Sequence, residues 1–197
     1  MTRQDWLGAL GFAVLITVGA KLSFELPGVS LPQTGQTLMV LLAGAVLGAG
    51  AGSVAVLLYI AAGVAGLEVF AGNRTGVAVL IGPSGGYLLG FWLAAMTLGW
   101  LRDRGWLARH WWAGLVGMLA GHAMIILIGA GLLVFSLGLS AAWFNGVQPF
   151  LPGALVKSIL GAALLLPLSI GWRKLGRLLE STNGKQPEPD HPDRGVG

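Results

Sequence analysis

The chain has 197 residues, 55% of them hydrophobic and only 10% charged, with a mean hydropathy of +0.77. A soluble domain carries about 25% charged residues, so this chain cannot cover its surface with polar groups, and an all-α integral membrane protein is expected. The absence of cysteine excludes disulfides, thiolate metal sites and cysteine nucleophiles. The formal charge of +4 comes from basic residues at the ends of apolar runs, not from a continuous patch for nucleic acid.

A helix needs about 20 apolar residues to cross a bilayer. Six candidate spans follow along the chain, at 6–24, 36–50, 52–67, 83–101, 111–138 and 152–172. The second and third are short and separated only by "GAGAG", which predicts a tight helical hairpin. The apolar periods are helical, not the ~10-residue alternation of an outer-membrane barrel. In the first span "VGA" at 18–20 resembles a signal-cleavage pattern, but the apolar run is long for a signal peptide, so retention is expected.

Arg3 precedes the first span. Arg102, Arg104 and Arg109 lie between the fourth and fifth, and Arg173, Lys174 and Arg177 follow the sixth. An even number of spans puts these sets on one side, which the positive-inside rule makes cytoplasmic. Both termini are then cytoplasmic, and loops 25–35, 68–82 and 139–151 lie outside. Residues 1–180 read as one membrane domain. The tail 181–197, polar and proline-rich, reads as disordered.

No carboxylate pair, histidine pair or serine–histidine–acid set occurs within the spans, and no Walker-type phosphate loop occurs at all. An enzyme is therefore not expected, and no cofactor is implied. Polar residues gather instead in the outer loops: Gln33, Thr34, Gln36 and Thr37 in the first; Glu68, Asn73, Arg74, Thr75 and Ser84 around the second; Asn145 and Gln148 in the third. Tyr87 and Lys157 follow just inside spans four and six. Solvation explains each loop residue singly, but their convergence on one membrane face points to an outward-opening pocket.

The stretch "GPSGGYLLGF" at 82–91 opens the fourth span loosely. Pro83 suits a first helical turn. Gly85 and Gly86 leave the first backbone N–H groups uncovered for a ligand carbonyl or carboxylate. Gly86 and Gly90 also form a small-xxx-small pair for close helix packing, and the two roles stay open. Lys157 lies about 7 Å into the sixth span at 1.5 Å per residue. A cation there faces a wet cavity, finds a partner or snorkels outwards. Lys21 carries the same alternatives, with snorkelling favoured. His122, alone in "AGHAM", reads as an interhelical hydrogen bonder.

Taken together, "LPQTGQTL", "AGLEVFAGNRTG", "GPSGGYLLGF" and "PFLPGALVK" resemble BioY, the biotin-binding S component of energy-coupling factor (ECF) transporters. The resemblance implies a six-helix S-component fold in the cytoplasmic membrane that captures biotin near its outer face. It also implies a transmembrane T component and two ABC ATPases as partners. It places the substrate at Gln36, Asn73, Arg74, Gly85, Gly86, Tyr87 and Lys157, and the T-component contact at Ala9 and Ala13 in "ALGFA". An S component for another vitamin is the alternative. Three departures stand out: Ala154 where the family has aspartate, Glu68 where it has proline, and Gly35 where a hydrophobic residue is usual.

Overall fold

The computed structural model describes residues 1–24, 33–110 and 112–182. Six helices of twelve residues or more occur among them: α1 (Arg3–Lys21), α2 (Gln36–Leu47), α3 (Ala49–Val64), α5 (Gly85–Asp103), α6 (Ala113–Leu137) and α8 (Leu151–Thr182). The short helices α4 (Ala78–Ile81) and α7 (Leu139–Ala142) lie in the connections, and β1 (Ser23–Phe24) pairs antiparallel with β2 (Gln33–Thr34). Residues 25–32 of the expected loop 25–35, and residues 183–197 of the expected tail 181–197, lie outside the described residues.

Local chemistry sets the helix ends. Thr2 caps α1 through a capping box: its hydroxyl accepts from the Asp5 N–H and the Asp5 carboxylate accepts from the Thr2 N–H. This starts α1 three residues before the expected span. The hairpin at 36–67 forms, and the helices turn at one residue, Gly48, whose φ of +95° suits glycine. Asp103 at the end of α5 accepts from the Ala49 N–H at 2.9 Å, satisfying a donor at the start of α3 with a carboxylate. Pro83 lies in the turn between α4 and α5, outside the first helical turn expected for it. α8 runs through Pro167 and past the expected end at 172, and the first residues of the expected tail are helical. The outer loop expected at 139–151 is helical as well, passing from α7 through a π turn at Trp143–Val147 into a 3-10 turn at Gln148–Phe150.

Packing depends on close backbone approach. A Cβ on Gly44 of α2 would lie 2.1 Å from the Ala95 carbonyl oxygen of α5, and one on Gly99 would lie 2.3 Å from the Ala49 nitrogen. On the other side of α5, a Cβ on Gly86 or Gly90 would lie about 3 Å from the backbone of α6 at Gly129 or Ile125. Helices with no water to exclude between them associate through such contacts. Around them Leu41, Leu42, Val56, Leu98, Met118 and Ile125 form the core, each at most 2% exposed.

The exterior is apolar too. Phe135, Ile81 and Leu139 are 87%, 84% and 76% exposed, as suits a lipid-facing surface. Among the described residues two helical stretches, Ala113–Leu137 and Leu139–Ser181, are long and apolar enough to cross a membrane. Gln36–Leu47 and Ala49–Val64 are apolar but shorter. The 12 residues of α2 span only about 18 Å at 1.5 Å per residue, below the ~30 Å of hydrocarbon.

The interior position of Gly44 makes a direct prediction. Gly44→Ala should lower stability by about 1–3 kcal/mol through overpacking against Ala95. Gly11→Ala, on the open face of α1 where nothing lies within 4 Å, should leave stability unchanged or raise it by up to ~1 kcal/mol through helix propensity. Thermal unfolding of the detergent-solubilised protein compares the two.

Candidate functional site

One end of the bundle carries a groove lined by Gln4, Arg102, Arg173 and Arg177. The start of α1, the end of α5 and the late turns of α8 therefore lie together. Near the other ends of α5 and α8, a partly enclosed cavity lies among α2, α3, α5, α6 and α8, and its largely apolar lining with a few polar groups is the make-up usual for small-ligand pockets. Its apolar walls include Phe70, Val79, Leu88, Phe91, Ile126 and Phe150, and its polar groups include Gln36, Tyr59, Arg74, His122 and Lys157.

Aromatic packing shapes the walls. Phe70 meets Tyr59 edge to face at 5.4 Å between ring centroids, and Tyr87 lies at 5.5 Å from Phe150. The Tyr87 ring lies on Gly129, where a Cβ would be 2.3 Å away, and its hydroxyl donates to the Gly146 carbonyl at 2.7 Å. That bond ties the helical segment at 139–150 to the cavity.

The polar wall starts where β2 runs into α2. The Thr34 hydroxyl accepts from the Gln36 N–H at 3.4 Å and donates to Gln36 Oε1 at 3.2 Å. Gln36 Nε2 then donates to the Tyr59 hydroxyl, closing the open end of the hairpin. The Tyr59 O–H, already accepting, keeps its own hydrogen for a further acceptor. Lys157 Nζ donates to the Thr34 carbonyl at 3.1 Å, leaving two N–H donors on the ammonium. His122, 3% exposed, links Thr37 on α2 to Ser158 on α8, the interhelical role expected of it, and also borders the cavity.

Four of the residues expected to meet substrate, Gln36, Arg74, Tyr87 and Lys157, border this cavity. The other three are placed differently. Asn73 is exposed, with a φ of +56°, and its side-chain oxygen accepts from Lys21 Nζ at 2.6 Å. Lys21 also donates to the Glu68 carbonyl, so it ties the end of α1 to the connection after α3 instead of snorkelling freely. Gly85 is enclosed by its own turn: a Cβ would lie 1.7 Å from the Leu80 carbonyl oxygen, and its N–H donates to the Gly82 carbonyl. Gly86 packs on α6, so of its two open roles the structure shows the packing one.

Ala9 and Ala13, expected at a T-component contact, lie on the inner side of α1. Ala9 has no exposed surface and belongs to the core, and Ala13 is half-buried against it. Large residues such as Leu10, Val14 and Val18 occupy the outer face of α1 instead. Small side chains let α1 approach its neighbours, which turns this pair inwards.

Sequence reasoning left Tyr59 and Phe70 out of the site, because a tyrosine and a phenylalanine in apolar surroundings look like core. From sequence Ser84 reads only as a polar residue at the second loop. It borders the cavity, and its Oγ is buried with no hydrogen-bond partner among the described residues.

The sequence model of the BioY family matches residues 1–174. The chain belongs to the BioY family. Relatives in that family include the biotin transporter BioY of Rhizobium etli, 33% identical over 87% of this chain and 95% of the relative. The biotin transporter BioY of Thermotoga maritima is 37% identical over 80% of this chain and 90% of its own length. A crystal structure of the S-component for biotin from an ECF-type ABC transporter matches with a TM-score of 0.77 at 24% identity. The match covers 85% of this chain and 94% of that one and shows the shared fold.

The Tyr87 hydroxyl carries a prediction about this BioY chain. Tyr87→Phe leaves the Gly146 carbonyl without that donor, at a cost of about 1–3 kcal/mol. Hydrogen exchange should rise in residues 139–150 first, while the α2–α5 contact at Gly44 stays protected.

Proposed function

We propose that the chain is the biotin-capturing S component of an ECF-type transporter, a binding subunit and not an enzyme. The family assignment supports it: relatives carry the name biotin transporter BioY over most of their length, and the family is one of transporters. The observation that carries the reading is the cavity, where the Lys157 ammonium and the Gln36–Tyr59 pair occupy one wall among aromatic and aliphatic side chains. Biotin combines an apolar valeryl chain and thioether ring with a polar ureido group and a carboxylate. A pocket that is largely greasy, with a few fixed donors, is complementary to that mixture. Arg74 and Ser84 add a second cation and a free hydroxyl.

The chain crosses the cytoplasmic membrane six times in this reading, with both termini inside and the cavity near the outer face. The basic groove at the end of the bundle away from the cavity supports this orientation. A T component and two ABC ATPases supply the energy, since the sequence holds no Walker-type loop. Within the site, Gln36, Arg74, Tyr87 and Lys157 contact or shape the substrate. Asn73, Gly85 and Gly86 support its walls from behind.

Calorimetry on the purified chain should show biotin binding without ATP. Lys157→Met keeps the apolar stem and removes the charge, so loss of a charge-assisted hydrogen bond of about 1.5–3 kcal/mol should weaken biotin roughly ten- to a hundredfold. Affinity within about twofold of wild type would remove Lys157 from the site, and preference for another vitamin would replace the substrate. For topology, a reporter fused after Gly197 should be active only if it is of the cytoplasmic kind. Activity of a periplasmic reporter would reverse the orientation.

A further inference from the structure

The buried polar chain behind the cavity has a fixed hydrogen-bond direction. Ser158, with no exposed surface, donates its single hydroxyl hydrogen to the Ala154 carbonyl at 2.8 Å. Toward His122 it can therefore only accept, so the 2.9 Å contact between Ser158 Oγ and His122 Nδ1 requires hydrogen on Nδ1. The Met118 carbonyl, 3.0 Å from the same nitrogen and unable to donate, requires it too. Among the described residues no carboxylate borders the cavity to balance a second ring proton, and an unpaired buried charge is costly. The ring is thus neutral with Nε2 bare, and Nε2 accepts from the Thr37 hydroxyl at 3.1 Å. Thr37 has spent its only hydrogen. What it presents to the cavity it borders is lone pairs.

We propose that Thr37 is a specificity-determining acceptor for a ligand N–H, held in that role by His122 and Ser158 as positioning residues. The inference rests on the biotin reading and deepens it, because it assigns one ureido N–H to Thr37. On the same α2–α3–α8 wall, Tyr59 keeps a hydrogen to give and Lys157 keeps two. A group carrying a carbonyl beside an N–H suits that mixture. A group that only accepts meets the Thr37 oxygen lone pair to lone pair.

The test uses the full chain in detergent, with biotin and two isosteric cyclic carbamates in which one or the other ureido N–H is replaced by oxygen. Wild type should bind one carbamate roughly tenfold or more weakly than biotin, the loss of one buried hydrogen bond plus an unfavourable oxygen–oxygen contact. Thr37→Val, nearly the same shape, should weaken biotin and close that gap to about twofold, while Thr37→Ser should preserve it. His122→Phe keeps a planar ring but frees the Thr37 hydroxyl to turn, so the gap should narrow there as well. Equal binding of biotin and both carbamates by wild type overturns the inference and needs no variant to fold. So does a gap that Thr37→Val leaves intact, and in both cases the biotin reading stands. Failure of wild type to bind biotin overturns that reading and this inference with it.

Discussion

The fold depends on how closely backbones approach along α5. Gly44 of α2 lies on Ala95, Gly99 on the α2–α3 turn, and Gly86 and Gly90 on α6, so this one helix is in near contact with neighbours on two sides. In lipid, the hydrophobic effect cannot pull apolar helices together, since separated helices are equally well solvated by acyl chains. Dispersion contacts between closely approaching surfaces then have to do it, and they fall off steeply with distance. Asp103 adds a polar fixture at the end of α5 by accepting from the first N–H of α3. With its lower half clamped to the hairpin, α5 delivers Tyr87 and Phe91 to the cavity at its upper end.

The same economy of side chains on the helix–helix seams explains where the cavity comes from. Small residues such as Gly44, Gly52 and Gly99 fill the seams near the α2–α3 turn, and aromatic residues from α3, α5 and the connections line the cavity. Tyr59 packs on Phe70 and Tyr87 on Phe150, and both pairs line the cavity. Several polar groups inside are paired: Gln36 with Tyr59, Lys157 with the Thr34 carbonyl, His122 with Thr37 and Ser158, while Ser84 Oγ has no partner among the described residues. Pairing removes the penalty of burial, and it also fixes which hydrogens and lone pairs are left over.

The connections beside the cavity serve as its supports. Lys21 bonds the Glu68 carbonyl and Asn73, holding the strand of chain that carries Phe70 and Arg74 against the end of α1. Arg74 Nε donates to the Ala71 carbonyl, so its guanidinium is anchored locally while it borders the cavity. Glu68, where the resemblance leads one to expect proline, contributes its backbone carbonyl to this tie.

Composition and apolar run length were enough to determine a largely helical, lipid-facing chain, and the placement of arginines anticipated the meeting of Arg102, Arg173 and Arg177 at one end of the bundle, because desolvation and the bilayer act on each segment separately. The four motifs were enough to name the family. Four of the seven expected site residues border the cavity, and these carry the side chains whose burial needs a partner or a ligand. What local sequence did not decide is direction and depth. The small residues Ala9, Gly85 and Gly86 look alike as interface, ligand approach or packing, and only the neighbour across the seam distinguishes them. Tyr59 and Phe70 become site residues through contacts made over many residues of chain. The role of Thr37 depends on a hydrogen-bond direction passed through His122 and Ser158 from two other helices, a property that exists only once α2, α6 and α8 are assembled.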